Sequence, residues 1–391
     1  MGPLGQARPV SRIAYVVHDL NDPAVARRVK MLRAAGESVV VMGFYRGETP
    51  PDTILDARVI PLGRTADAKL VQRVLAVLRN LVVPGPMLAA ARGADVVIGR
   101  NLEALALARR VRASLPGARL VYECLDIHRL LLGSSLPARM IQRIEAALLR
   151  HIDLLVVSSP AFVRDYFSRR PSFTAPALLV ENKVLVIDEE PPEPRPAPAG
   201  PPWTIGWLGN LRCRKTFEVL TALAARHDGR IQILVAGRPS PAVFDDLPGA
   251  IAAAPHCTYL GPYSYAEQAD IYARCHFAWM IDWFEEGLNS AWLLPNRLYE
   301  AQAFGAVPIA LRSVETGRWL ERHGAGVRLD DALEEFDAGV ASLDAGQYLE
   351  LRRRSALIPR EDLIAGSRDC ATLARAISGA KTEGDGGDGS A

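Results

Sequence analysis

Cysteine is scarce in this chain. Its five residues (Cys124, Cys213, Cys257, Cys275 and Cys370) are odd in number, scattered and never in Cys-x-x-Cys spacing. That excludes a disulfide framework and a thiolate zinc site and points to reduced thiols. No apolar run reaches about 18 residues, so nothing reads as a bilayer-spanning helix. The opening Met1-Gly-Pro-Leu-Gly-Gln-Ala-Arg8 lacks the apolar core of a signal peptide. The expectation is a cytoplasmic protein that at most lies on the inner membrane. The first apolar run ends in His18-Asp19-Leu20-Asn21-Asp22, with no glycine turn, so the G-x-G-x-x-G fingerprint of dinucleotide enzymes is missing. No Walker A sequence occurs, and no Asp-x-Asp pair for a divalent ion, so neither a cofactor nor a metal is expected. Aromatic residues are only 7% and no reader motif appears, which argues against nucleic acid as a partner.

What is present suits two globular domains. The chain has 391 residues, 49% hydrophobic and 23% charged. Its net charge of +2 hides an asymmetry. Residues 1–185 hold 26 Lys/Arg against 15 Asp/Glu, and the remainder holds 20 against 29. The basic first half suggests an anionic partner. Short β-branched runs at 13–17, 38–42, 95–98, 119–123 and 154–157 alternate with helix-length segments, the pattern of a parallel sheet covered on both faces. Seven prolines within 187–202 then break the periodicity and read as an extended linker. Strand and helix alternate again from Trp203.

Three segments could carry chemistry. Leu294-Pro-Asn-Arg-Leu-Tyr-Glu300 opens a helix that stops at Gly305 and runs into the apolar strand Val307-Pro-Ile-Ala310. Free amides at such a helix start suit a diphosphate, and a carboxylate such as Glu300 suits a pair of ribose hydroxyls. An ordinary helix–strand unit would read the same way. Gly206-Trp-Leu-Gly-Asn-Leu-Arg-Cys-Arg-Lys215 lies between a strand and a helix. There Gly209 lets backbone approach a ligand, and Arg212, Arg214 and Lys215 crowd a helix start where positive charge is unfavourable unless an anion binds. A solvated basic loop is the alternative. Tyr122-Glu-Cys-Leu-Asp-Ile-His128 follows a strand, and Asp126 and His128 at its end could serve acid–base chemistry, or Asp126 could simply cap the next helix. His18-Asp19 forms a similar pair, and Asp22 suits a cap. The stretch 64–92, with Lys69, Arg73, Arg79 and Arg92 among apolar residues, reads either as a surface helix with its apolar face on the core or as one lying in a membrane interface.

These motifs resemble GT-B glycosyltransferases, and Glu300-Ala-Gln-Ala-Phe-Gly-Ala-Val-Pro308 is similar to the family 4 pattern Glu-Ala-x-Ala-x-Gly-x-Pro-Val. The resemblance implies an α/β GT-B fold, two Rossmann-like doubly wound parallel-sheet domains with a cleft between them. The boundaries expected are 12–185 for acceptor binding, a linker at 186–202, 203–379 for the nucleotide sugar, and a disordered tail at 380–391. It further implies donor contacts from Gly209, Asn210, Arg212, Lys215, Asn289, Ser290, Asn296, Arg297 and Glu300. Lys215 keeps the family's six-residue offset from Gly209, whereas Asn210 stands where an Arg is usual and Arg212 is its candidate substitute. The family's first glutamate is missing, because Leu293 and Trp292 occupy its offset from Glu300; Glu285 and Glu286 lie nearby. Asn182-Lys183 resembles the element by which such chains enter the linker. The opening Tyr15-Val-Val-His-Asp-Leu-Asn-Asp22 and the segment 122–128 resemble transferases of succinoglycan-type exopolysaccharide assembly. Those imply a UDP-hexose donor, a polyprenyl-diphosphate-linked oligosaccharide acceptor and peripheral membrane association. A GT-B nucleotide-sugar epimerase and a non-catalytic GT-B scaffolding subunit remain as rival readings.

Overall fold

A computed structural model describes residues 10–65, 70–187, 189–190 and 193–379. The expected tail at 380–391 and Lys69 lie outside the described residues. The described residues divide into two compact units, those within 10–180 together with 366–379, and those within 181–365.

In the first unit, β1 (Arg12–Val17) is followed by α1 (Pro23–Ala34), β2 (Ser38–Tyr45), β3 (Thr53–Ile54) and β4 (Ala57–Arg64). Then come α2 (Leu70–Val82), α3 (Gly85–Ala90), β5 (Val96–Arg100), α4 (Asn101–Arg112), β6 (Arg119–Cys124), α5 (Arg129–Leu132), α6 (Leu136–Leu149), β7 (Leu154–Val157) and β8 (Ala177–Leu179). The sheet order is β3-β4-β2-β1-β5-β6-β7-β8. All pairs are parallel except β3 with β4. Central strands covered on both faces need apolar residues at nearly every position, and Ile13 to Val17 are all buried. Asp22 caps α1 by accepting from the Ala24 amide at 2.9 Å, ahead of Pro23 in the first turn.

The second unit runs β9 (Val184–Leu185), β10 (Trp203–Leu211), α7 (Arg214–Arg226), β11 (Ile231–Pro239), α8 (Leu247–Ala253), β12 (Cys257–Tyr259), α9 (Gln268–Tyr272), β13 (Phe277–Trp279), α10 (Asn296–Phe304), β14 (Val307–Leu311), α11 (Glu315–Arg322) and β15 (Val327–Leu329). It continues through α12 (Ala345–Ser355), α13 (Arg360–Leu363) and β16 (Ile364–Ala365). Its six-stranded sheet, β12-β11-β10-β13-β14-β15, is parallel throughout. Trp203, Trp279, Phe277, Val307 and Ile309 sit in the core on one side of it.

Three features depart from the sequence expectation. The hairpin β3–β4 was not foreseen: its turn residues Leu55 and Asp56 both have positive φ (49° and 59°) without the usual Asn-Gly signature. The proline-rich segment is not a free linker between 203–379 and the first domain, because residues 181–202 belong to the second unit. Val184 and Leu185 pair in parallel with Ile364 and Ala365, and the Pro198 carbonyl lies 2.8 Å from His276 Nε2. The third departure is the final helix, α14 (Ser367–Ser378), which belongs to the first unit. Its carbonyls at Ala376 and Ile377 accept from Arg119 Nη1 at 2.8 and 3.1 Å, and Cys370, Leu373, Ala374 and Ile377 are buried. The strand–helix alternation is therefore as read, but both chain crossings fall elsewhere.

Candidate functional site

At the carboxyl ends of β10, β13 and β14 the second unit holds a cavity of about 490 Å³. Parallel sheets leave such space where successive strands turn into helices on opposite faces. Its lining includes Asn210 at the end of β10 and Arg212 just after it, Asp282, Trp283, Glu286 and Ser290 after β13, Pro295 and Arg297 at the start of α10, and Ser313, Val314 and Thr316 at the start of α11. Neither Pro295 nor Val314 caps its helix with a side chain, so two helix starts meet one cavity with two guanidinium groups, that of α10 without an acid in its first turn and that of α11 carrying Glu315. Arg297 donates through Nη2 to the Met280 carbonyl at 3.2 Å, while its Nε is buried with no hydrogen-bond partner. An arrangement of this kind attracts a multiply charged anion.

The first cationic loop depends on glycine. Gly209 has φ 107°, and a Cβ at Gly237 on the neighbouring strand would overlap the Gly209 carbonyl oxygen. Any side chain there would push the loop out of register. Arg212 pairs with Asp282 at 3.5 Å and lies 4.8 Å over the Phe284 ring. Lys215 Nζ is 3.0 Å from both carboxylate oxygens of Glu286 and 4.8 Å from the centre of the Trp283 ring. The loop after β13 thus sets two carboxylates against the two loop cations.

Of the expected donor residues, Asn210, Arg212, Ser290 and Arg297 line this cavity together. Gly209 shapes the loop, and Lys215 reaches the edge through Glu286. Asn289 is buried in the short turn before Ser290, and Asn296 is exposed at the first position of α10. Glu300 is one full turn further along that helix and does not line the cavity. It is buried, and its two oxygens accept from Gln268 Nε2 at 3.2 Å and from the Tyr272 hydroxyl at 3.1 Å. Burial first, and the nearby Glu300 charge second, push the Tyr272 hydroxyl well above its ordinary range, so it stays a donor. Asp282 and the 313–316 turn were missed in the sequence. Their signal was the same strand–loop–helix junction already recognised after β10, repeated after β13 and β14.

In the first unit the sheet's carboxyl edge carries a buried ionic network. Glu123 on β6 accepts from the Tyr15 hydroxyl (2.5 Å), Arg28 Nε (2.5 Å) and Arg100 Nη1 (3.1 Å). Arg100 also reaches Asp22 at 3.3 Å, and Asp22 lies 3.9 Å from His18 Nε2. Burial alone would raise the Glu123 carboxyl, but Arg28 and Arg100 overcome it and hold the group at about 2. Burial lowers His18 below its usual range. Asp126 and His128 are both exposed on the loop between β6 and α5. Asp126 is not the helix cap. His128 is, its Nδ1 accepting from the Leu130 amide at 3.3 Å. That contact favours the neutral tautomer with its proton on Nε2, which offers a donor from the ring.

Residues 22–182 match the glycosyl transferase 4-like domain, and with the relative described next this makes the chain a glycosyltransferase, its two parallel-sheet units having the GT-B fold. The chain belongs to the family of the succinoglycan biosynthesis protein ExoL of Rhizobium meliloti (strain 1021). It is 40% identical to that protein over 375 residues, 94% of this chain and 93% of the relative. Among solved structures, sucrose-phosphate synthase from Thermosynechococcus elongatus superposes with a TM-score of 0.65 at 16% identity, over 95% of this chain and 100% of that one. Anabaena Alr3699/HepE in complex with UDP-glucose gives 0.58 at 12% identity, over 94% and 95%. These two likenesses establish the fold.

Proposed function

We propose that this protein transfers a hexose from UDP-hexose to an oligosaccharide on a polyprenyl diphosphate, in succinoglycan-type exopolysaccharide assembly at the cytoplasmic face of the inner membrane. The observation that carries the donor reading is the convergence of two uncapped helix starts with Arg212 and Arg297 on one cavity. The relative's role in succinoglycan biosynthesis, and the UDP and UDP-glucose bound by HepE, support the same class of substrate.

In this reading the donor diphosphate takes the place that Asp282 and Glu286 hold against Arg212 and Lys215. As the glycosidic bond breaks, negative charge grows on the leaving diphosphate, and those cations with the α10 and α11 amides stabilise it without a metal. Ser290 contacts the sugar side with Asn289 buried behind it, Asn296 extends the amide-rich start of α10, and Glu300 holds the ribose by turning from Gln268 and Tyr272, from which it accepts in this structure. Asp126 and His128 act on the acceptor side, Asp126 taking the acceptor proton if the reaction inverts and His128 donating a hydrogen bond through Nε2. The excess positive charge of the first half draws the chain to the anionic membrane that carries the acceptor.

Labelled nucleotide sugars supplied with a membrane lipid extract test the proposal. Label from a UDP-hexose should enter the lipid fraction. Transfer from no donor in the panel would leave the scaffolding reading, and conversion of the donor to its epimer without transfer would establish the epimerase.

A further inference from the structure

The first unit exposes apolar side chains on two helices that a water-soluble surface would not group. On α2, Leu75 and Val82 are 60% and 79% exposed, with Val74 and Leu78 beside them; on α6, Leu136 and Met140 are 80% and 62% exposed, with Ile144 one turn on. Positions 136, 140 and 144 form a stripe along α6, and 74, 78 and 82 form one along α2. The stripes belong to one surface, because an apolar groove of about 260 Å³ runs between the helices, with Val77 and Leu81 on one wall and Ile141 and Ile144 on the other. Surface leucines scattered singly need no explanation, but a grouped patch marks a contact.

Charge selects the partner. The exposed charged side chains on these two helices are Arg79, Arg139 and Arg143, all positive. The one acid on either helix, Glu145, is buried against Tyr166, and Glu103 beneath the groove is paired with Arg73. An apolar face whose two helices carry exposed arginines and no exposed carboxylate, with the lining Glu103 paired to Arg73, complements an anionic bilayer surface, where apolar side chains enter the hydrocarbon boundary while guanidinium groups stay among the head groups. We propose that α2 and α6 together form a membrane-docking face that inserts apolar side chains into anionic lipid. This rests on the lipid-linked acceptor reading given above, takes up the membrane-interface alternative raised for the stretch 64–92, and adds α6, which the sequence pattern did not single out.

The test uses the full-length protein with vesicles of phosphatidylcholine alone and of phosphatidylcholine mixed with phosphatidylglycerol. The variant Leu75→Gln with Met140→Gln keeps every charge and alters exposed positions only. It should partition onto mixed vesicles about tenfold or more weakly than wild type. Leu357→Gln, an exposed position in the second unit (69%), should bind as wild type does. Unfolding midpoints confirm that each variant is folded, and calorimetric UDP affinity is measured beside each. Undiminished vesicle binding by the double variant overturns the inference, even with UDP affinity intact, since attraction by charge alone would then suffice. A wild-type dimer that the double variant breaks in the absence of lipid also overturns it, because the face would then join two copies. Failure of every protein to bind UDP would count against the donor reading instead and would leave the vesicle result standing.

Discussion

Replacing Glu123 with glutamine probes the ionic network that orders the carboxyl edge of the first sheet. The carboxyl is 1% exposed and held at about 2, against 4.5 for an unperturbed glutamate. A tenfold change in an ionisation equilibrium is worth about 1.4 kcal/mol, so the folded form gains about 3 kcal/mol from ionising this group. The sign follows from a depressed value. The contribution is complete above the ordinary glutamate range and is lost as pH falls from about 4.5 toward 2. Glutamine removes it at all pH values and leaves Arg28 and Arg100 buried against a neutral amide, a change that costs about 3–5 kcal/mol. All six tryptophans lie between residues 203 and 319, in the second unit, so their fluorescence is a built-in control. Pulsed hydrogen exchange in rising urea should show β1, β5 and β6 of Glu123→Gln opening at lower denaturant, while the tryptophan transition stays in place. Wild type taken from about pH 5 toward about pH 3 should move in the same direction, and the variant should respond less. Equal protection of β6 in both proteins at neutral pH would refute the argument, since the two arginines would then need no countercharge.

Three other substitutions address the proposed chemistry. Glu300→Ala should weaken UDP binding by about 1.5–3 kcal/mol, the worth of a charge-assisted hydrogen bond; unchanged calorimetric affinity would confine Glu300 to its contacts with Gln268 and Tyr272. Lys215→Ala should lower turnover more than donor affinity, because charge builds on the leaving diphosphate only as the bond breaks; unaltered turnover at saturating donor would make the loop a solvated one. Asp126→Asn should slow an inverting transfer by about 10²–10⁴-fold, and His128→Ala should do less if His128 only donates; wild-type rates in both would direct attention to His18 and Asp19.

The local signals in the sequence were enough to specify much of this protein. Short β-branched runs of four or five residues marked the central strands because both faces of a parallel sheet are buried. Proline at 295 and glycine at 305 bounded α10, and Gly305 does adopt the left-handed conformation, at φ 93°, that ends a helix. The glycine and cations around the end of β10 marked one wall of the cavity, through Arg212, for the same reason: a strand-to-helix junction is a local event. Tertiary structure decided what depends on residues far apart. Glu123 meets Arg28 across 95 positions and Tyr15 across 108, so nothing near Glu123 announces its partners. The same holds for α14, which joins the first unit from the far end of the chain, and for the turn at 313–316, which becomes part of the cavity only because β14 lies beside β13. Glu300 shows the limit most plainly. Sequence placed it on the correct helix near the correct sheet edge, but its side-chain direction was set by Gln268 and Tyr272 on α9, which pack beside that helix and draw the carboxylate toward their own donors.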